Sequence, residues 1–141
     1  MPLGKASPAP GVYFTPYCAE MKQMNEPAVK KKFEDGPVAI ITYLPKGSVV
    51  LPKHLALWFL FSVFVSFLAA YVARHTLQPG AVGVAAMRVT GTVAFAGYGL
   101  SHVSNSIWKG QPWGNTLRAL FDGAIYAVLT GATFCLLWPS A

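Results

Sequence analysis

The chain has 141 residues, of which 54% are hydrophobic and 11% are charged, and its formal net charge is +6. A charged fraction this far below the roughly 25% of soluble globular domains favours an integral membrane protein. Nucleic acid is not an expected partner, because the basic residues neither cluster between stacking aromatic residues nor match a nucleic-acid-binding motif.

Residues 1–53 are predicted to form a polar N-terminal tail that is extended and partly helical. Four prolines among the first sixteen residues exclude a long helix there. A short helix is expected at about residues 26–35, because Pro27 suits a first helical turn and Gly36 suits a helix end. The β-branched segment 37–45 is bracketed by prolines and too short to span a membrane, so it is expected to lie extended on a protein surface or at the headgroup level.

Residues 54–141 are predicted to form a three-helix transmembrane region, which makes the fold class an all-α membrane protein. The first span, at about 55–75, contains no ionisable residue from Leu55 to Ala73, a run about as long as a helix needs to cross ~30 Å of hydrocarbon. The second is placed at about 89–108, which leaves Arg88 at the interface, where its stem can snorkel. The third is placed at about 117–138.

Lysine and arginine are more frequent near the span ends on the side of the N-terminus. This bias predicts a cytoplasmic N-terminus and an external C-terminus, with an uncleaved start because no apolar core of signal-peptide length is present there. Trp108 and Trp113 lie near predicted ends and are expected to contact lipid headgroups or a partner, as is Arg88. Tyr13, Phe14 and Tyr17 are candidate anchors to a partner.

Each predicted span carries small residues at helical spacing, which allow close approach of helices in lipid. The residues expected at helix contacts are Ser62, Ser66, Ala70, Ala94, Gly97, Gly123, Ala127 and Gly131. These rows hold the helices of one subunit together, or at least one of them forms a contact between subunits.

A polar cluster in the membrane is predicted from His102, Arg118 and Asp122, together with Tyr98 or Tyr126. Asp122 falls little more than one turn inside the third predicted span, and Arg118 precedes it by four residues on the same helical face. The cluster either fixes helix register or handles protons or ions. Arg88 is expected to lie roughly 15 Å away from Asp122 in depth, so the two should not pair.

No metal site, cofactor or internal disulfide is predicted, although bound lipid is possible. The two cysteines, Cys18 and Cys135, lie in the tail and near the end of the last span, and the chain has no CxxC, HExxH or similar ligand spacing. A haem held by His54 and His102 is the weaker alternative, because His54 falls at the water boundary.

Three stretches carry a resemblance to a known group of proteins: GPVAIITYLP at 36–45, WFLFSVFVSFLAAYVARHTL at 58–77, and SIWKGQPW followed by FDGAIYAVLTGATFCLLWP at 106–139. The chain resembles small uncharacterised bacterial inner-membrane proteins that share a polar N-terminal tail, apolar spans and this tryptophan-containing loop. The resemblance implies a bacterial inner membrane and assigns no catalytic residue.

The expected function is non-catalytic: an accessory or scaffold subunit of a larger inner-membrane complex or of a homo-oligomer. The expected partners are membrane lipids and other membrane protein subunits or further copies of the chain. The alternatives are a small transport or proton-handling protein that uses the Asp122 cluster, and a haem-binding or redox membrane subunit.

Overall fold

The computed structural model describes residues 8–18, 21–47 and 50–139, and it is mostly helical. The chain divides after Val49 into an N-terminal unit and a C-terminal unit.

The N-terminal unit contains a two-stranded antiparallel sheet. Strand β1, Gly11–Thr15, pairs with strand β2, Ala39–Tyr43, and Tyr13 lies opposite Ile41. A 3₁₀ helix, Met21–Asn25, and helix α1, Pro27–Asp35, connect the two strands. The pairing of the two extended segments goes beyond the predicted extended and partly helical tail. The sequence did not reveal it because the two strands are far apart in the chain and no short hairpin turn joins them.

The C-terminal unit begins with helix α2, Leu51–Thr76, which has Pro52 in its first turn and ends before a loop that contains Pro79 and Gly80. Proline cannot continue a helix, and Gly80 has a φ of 80°, which favours glycine. The helix is therefore stopped by local sequence, and it is longer at its N-terminal end than the predicted span.

A second helical stretch runs without interruption from Gly83 to Lys109. It consists of helix α3, Gly83–Phe95, a π-helical segment, Ala96–Leu100, hereafter the π turn, and helix α4, Ser101–Lys109. It ends at Gly110, whose left-handed backbone (φ 62°) is the usual helix terminator. Helix α5, Trp113–Leu137, follows after a three-residue connection.

Two helices, α2 and α5, are long and apolar enough to cross a membrane. The fold class is thus confirmed as mostly helical with two helices suited to spanning, and the third crossing stays a prediction. Helix α5 begins at Trp113, four residues before the predicted start, and α3 begins six residues before the predicted second span. Arg88 therefore lies inside a helix and not at its beginning.

Candidate functional site

The π turn is the junction at which the three long helical stretches of the C-terminal unit meet. Its two glycines, Gly97 and Gly99, contact different helices: a Cβ on Gly97 would lie 3.2 Å from the side chain of Val65 on α2, whereas Gly99 faces α5. A Cβ on Gly123 would lie 2.8 Å from the Cα of Gly99. Small residues on both sides of the turn therefore let two helices approach its backbone at once.

Tyr98 lies between these two glycines and is only 8% exposed. Its ring packs against aromatic rings of both neighbouring helices, with centroid distances of 6.1 Å to Trp58, 5.6 Å to Phe61 and 5.4 Å to Tyr126. Trp58 and Tyr126 also contact each other, at 6.0 Å. This aromatic cluster joins α2, the π turn and α5, and π-helical turns are frequent at functional sites.

Helix α3 and helix α5 pack antiparallel through a row of small residues. Gly83 lies against the backbone of Cys135, and a Cβ on Gly131 would meet the carbonyl oxygen of Met87 at 2.9 Å. Glycines recur at every eighth position on the α3 side, at 83, 91 and 99. The sequence prediction missed this row, although its regular spacing was a signal that could have revealed it.

The residues predicted to lie at helix contacts are all at least half-buried. On α5 and α3, Gly123, Ala127, Gly131 and Ala94 are buried; Gly97, Ser62, Ser66 and Ala70 are half-buried. The most buried residues of α2 are Val65, Ala69 and Ala73, one position away from the predicted row. Within one chain, the α5 row is covered by the π turn at Gly123 and by α3 at Gly131.

The packing of the helices sets the depth of Asp122. Gly123 lies beside Gly99, and Gly97 lies beside Val65, so Asp122 is level with the middle of the uncharged run from Leu55 to Ala73. Asp122 is the tenth residue of α5. The sequence analysis placed Asp122 little more than one turn inside a span predicted to start at residue 117, whereas α5 itself begins at Trp113, so that Asp122 lies in the third turn of the helix.

The structure does not connect the predicted polar cluster. Asp122 and Arg118 are exposed and His102 is half-buried; within residues 50–139 none of the three makes a side-chain hydrogen bond or an ion pair. Tyr98 and Tyr126 instead belong to the aromatic cluster. Among the described residues, α4 and α5 are joined by a hydrogen bond between the buried hydroxyls of Ser106 and Thr116. The sequence analysis did not single out these two residues.

Arg88 lies in the second turn of α3, is exposed, and lines an apolar groove whose walls include Phe95 and Val128. Since Met87 lies beside Gly131 in an antiparallel pair, Arg88 is about 12 Å from Asp122 along the helix axes, at 1.5 Å per residue. The antiparallel packing of α2 on α3 places Arg74 at the same level as Arg88.

The histidines are separated in the structure. His54 is exposed at the start of α2 and its Nδ1 lies 3.0 Å from the carbonyl oxygen of Val50, whereas His102 is half-buried in α4. His75 stacks on Tyr71 at the other end of α2. Across residues 8–18, 21–47 and 50–139, no three His, Cys, Asp or Glu side chains are grouped as metal ligands would be.

The predicted partner-contact residues are exposed in the structure. Tyr17 is 80% exposed, Phe14 59% and Tyr13 40%. Trp108 and Trp113, at 81% and 58%, flank the connection before α5, outside the packed helix contacts.

No protein-family model matches the chain, and comparisons with curated proteins and with solved structures find no significant match.

Proposed function

We propose that this chain is an integral membrane protein that crosses the bilayer three times and serves as a non-catalytic accessory or scaffold subunit, in a larger complex or in a homo-oligomer. The proposal rests on where the C-terminal unit places its large and its small apolar side chains.

The helices pack through small residues and expose their large ones. Ala69, Ala73 and Ala94 are fully buried, whereas Phe67 and Phe121 are 63% and 68% exposed. In water this arrangement would expose a large apolar surface to solvent. In lipid the large side chains would contact acyl chains, while the small residues would allow the helices to pack closely. This distribution is the observation that carries the proposal.

The third crossing is supported by the stretch from Gly83 to Lys109. At 1.5 Å per residue it is about 40 Å long, enough to cross the ~30 Å hydrocarbon core. It also lies antiparallel between two helices that are themselves suited to spanning. If only α2 and α5 crossed the membrane, the small residues of α5 would have no helix to pack against.

The accessory role is supported by the N-terminal unit. None of its described side chains is buried, and the sheet exposes Val12, Phe14 and Ile40, at 56%, 59% and 40%. A two-stranded sheet is marginally stable alone in water. A partner protein that covers this sheet would supply the missing apolar contacts.

The proposed location is the bacterial inner membrane with the N-terminus in the cytoplasm, as the distribution of basic residues and the family resemblance suggest. Single cysteines introduced in the α2–α3 loop and in the connection before α5 test it, in a chain that lacks Cys18 and Cys135. An impermeant maleimide added to intact cells should label Gln78→Cys and not Gln111→Cys. The reverse pattern, or equal labelling, refutes the proposed topology.

The subunit role is tested by extraction in mild detergent followed by native mass spectrometry. Co-purification with larger membrane proteins at fixed stoichiometry, or a homo-oligomer of defined size, is the expected result. A monodisperse monomer in lipid nanodiscs, with no partner recovered, contradicts it.

A second candidate function is proton handling, and the depth of Asp122 favours it. A carboxylate midway across an apolar zone is costly and is by default a functional residue. In proteoliposomes, proton flux that Asp122→Asn abolishes, with assembly unchanged, would favour this function over the accessory role.

A further inference from the structure

One face of α5 remains uncovered along its whole length, on the side turned away from α3. The exposed residues of this face follow one another at intervals of three or four positions, which places them on one side of the helix. They are Arg118, Asp122, Ile125, Leu129, Thr133 and Leu136, hereafter the charged stripe.

The charged stripe holds the one acidic residue of the C-terminal unit, at the least favourable depth for it. Asp122 is level with the middle of the uncharged run of α2 and is exposed in the single chain. The face of α5 that carries Gly123 is held against the π turn, so α5 cannot rotate to bring Asp122 into the helix packing. A charge at this depth is costly unless it is paired.

Arg118 is the cation that suits this requirement. It precedes Asp122 by one turn on the same stripe, yet the two do not form an ion pair within the chain described by residues 50–139. If two α5 helices lie side by side and parallel about a two-fold axis, Arg118 of each copy is displaced from Asp122 of the other by about 6 Å along the axis, at 1.5 Å per residue. The extended arginine stem covers this distance.

The rest of the stripe suits the same arrangement. Ile125, Leu129 and Leu136 are 44%, 59% and 84% exposed, and they continue the line of the two charges at intervals of three, four and seven residues. With the four residues between Arg118 and Asp122, these intervals follow the repeat of three and four that is typical of helices packing with a left-handed crossing of about 20°, and Thr133 lies one residue outside that repeat. A two-fold interface is self-complementary, so one stripe can supply both charges and both apolar surfaces.

We propose that the charged stripe is the interface of a homodimer, in which Arg118 of each copy pairs with Asp122 of the other copy. The proposal rests on the membrane insertion proposed above and specifies a second copy of this chain as the partner that covers α5.

Cysteine crosslinking in native membranes tests the interface. The full chain carries Cys18→Ser and Cys135→Ala, and one new cysteine is placed either in the stripe, Leu129→Cys, or beside it, Val128→Cys. Both positions are exposed to a similar degree, at 59% and 58%. Oxidation should produce a dimer through Leu129→Cys and little through Val128→Cys. Equal crosslinking at both positions, or none at Leu129→Cys, overturns the proposal.

A charge exchange in the Leu129→Cys chain tests the ion pairs. Arg118→Asp places two acids at each pairing position, and Asp122→Arg places two cations there. Each substitution should lower the association constant of the dimer about tenfold or more, because a polar contact in a membrane contributes about 1–2 kcal/mol. The two substitutions together restore opposite charges and should bring crosslinking back. Single changes that leave crosslinking unaltered, or a double change that does not restore it, contradict the proposed pairs.

Alkaline carbonate washing distinguishes failure of the dimer from failure of insertion. Every variant that stays in the washed membrane is inserted, so its crosslinking reports on the interface alone. If the charge variants are lost from the membrane, the neutral variant Asp122→Asn replaces them and should lower crosslinking while it stays inserted; unchanged crosslinking then overturns the pairing. A crosslinked product of a mass other than twice the chain assigns the stripe to another protein and refutes the homodimer.

Discussion

Gly99 of the π turn and Gly123 of α5 meet backbone to backbone, so closely that a Cβ on Gly123 would lie 2.8 Å from the Cα of Gly99. No side chain fits between two helices at this distance. The contact fixes the register of α5 along the preceding helical stretch, and with it the depth of every charged residue of α5.

Gly123→Ala should therefore destabilise the C-terminal unit by about 1–3 kcal/mol, the usual cost of an overpacked contact. Gly114→Ala is the matched control, since a Cβ at Gly114 meets nothing within 4 Å and alanine is the better helix former. Unfolding in mixed micelles with increasing sodium dodecyl sulfate, followed by circular dichroism, measures both. Equal stability of the two variants would show that the helices do not approach as closely as described.

Because Ser106 and Thr116 share a hydrogen bond, substitutions at the two positions should have non-additive effects on the free energy of unfolding. Both residues are buried, at 7% and 1% exposure, so Thr116→Val leaves the Ser106 hydroxyl without its partner and should cost about 1–3 kcal/mol. Adding Ser106→Ala removes the orphaned hydroxyl and should recover part of that loss. A double-mutant cycle measured by the same unfolding method gives the coupling, and strict additivity of the two changes contradicts a direct bond.

The aromatic cluster should depend on the ring of Tyr98 and not on its hydroxyl. Among the described residues, the Tyr98 hydroxyl has no hydrogen-bond partner, whereas its ring contacts three other aromatic rings. We expect Tyr98→Phe to change the free energy of unfolding by less than about 1 kcal/mol and Tyr98→Ala to lower it by about 3–5 kcal/mol. A large effect of Tyr98→Phe would reveal a polar contact at the hydroxyl.

The strand pairing of the N-terminal unit can be tested by its register. Val12 lies opposite Thr42, so their side chains are on the same face of the sheet, while the side chain of Ile41 is on the other face. In a chain without Cys18 and Cys135, Val12→Cys should form a disulfide with Thr42→Cys and not with Ile41→Cys. Mass spectrometry of the oxidised peptides decides this, and a preference for Ile41→Cys would mean that the register is shifted by one residue.

The sequence by itself determined where the main helices lie, because the signals for a helix and its end are local. The uncharged run of α2, Pro27 at the start of α1, and the glycines at 36 and 110 act through the backbone and composition of their own segments. The small-residue row of α5 is also readable in the sequence, and Gly123, Ala127 and Gly131 of that row are buried in the structure.

Only the tertiary structure decided which of these residues meet. The pairing of β1 with β2, the meeting of Gly99 with Gly123, and the depth of Asp122 depend on contacts between segments distant in the chain, which composition and periodicity do not encode. The predicted cluster of His102, Arg118 and Asp122 shows the difference. Similar predicted depth suggested a contact, but the direction in which each side chain leaves its helix is set by the glycine packing of α3 on α5, and that packing turns Asp122 outward.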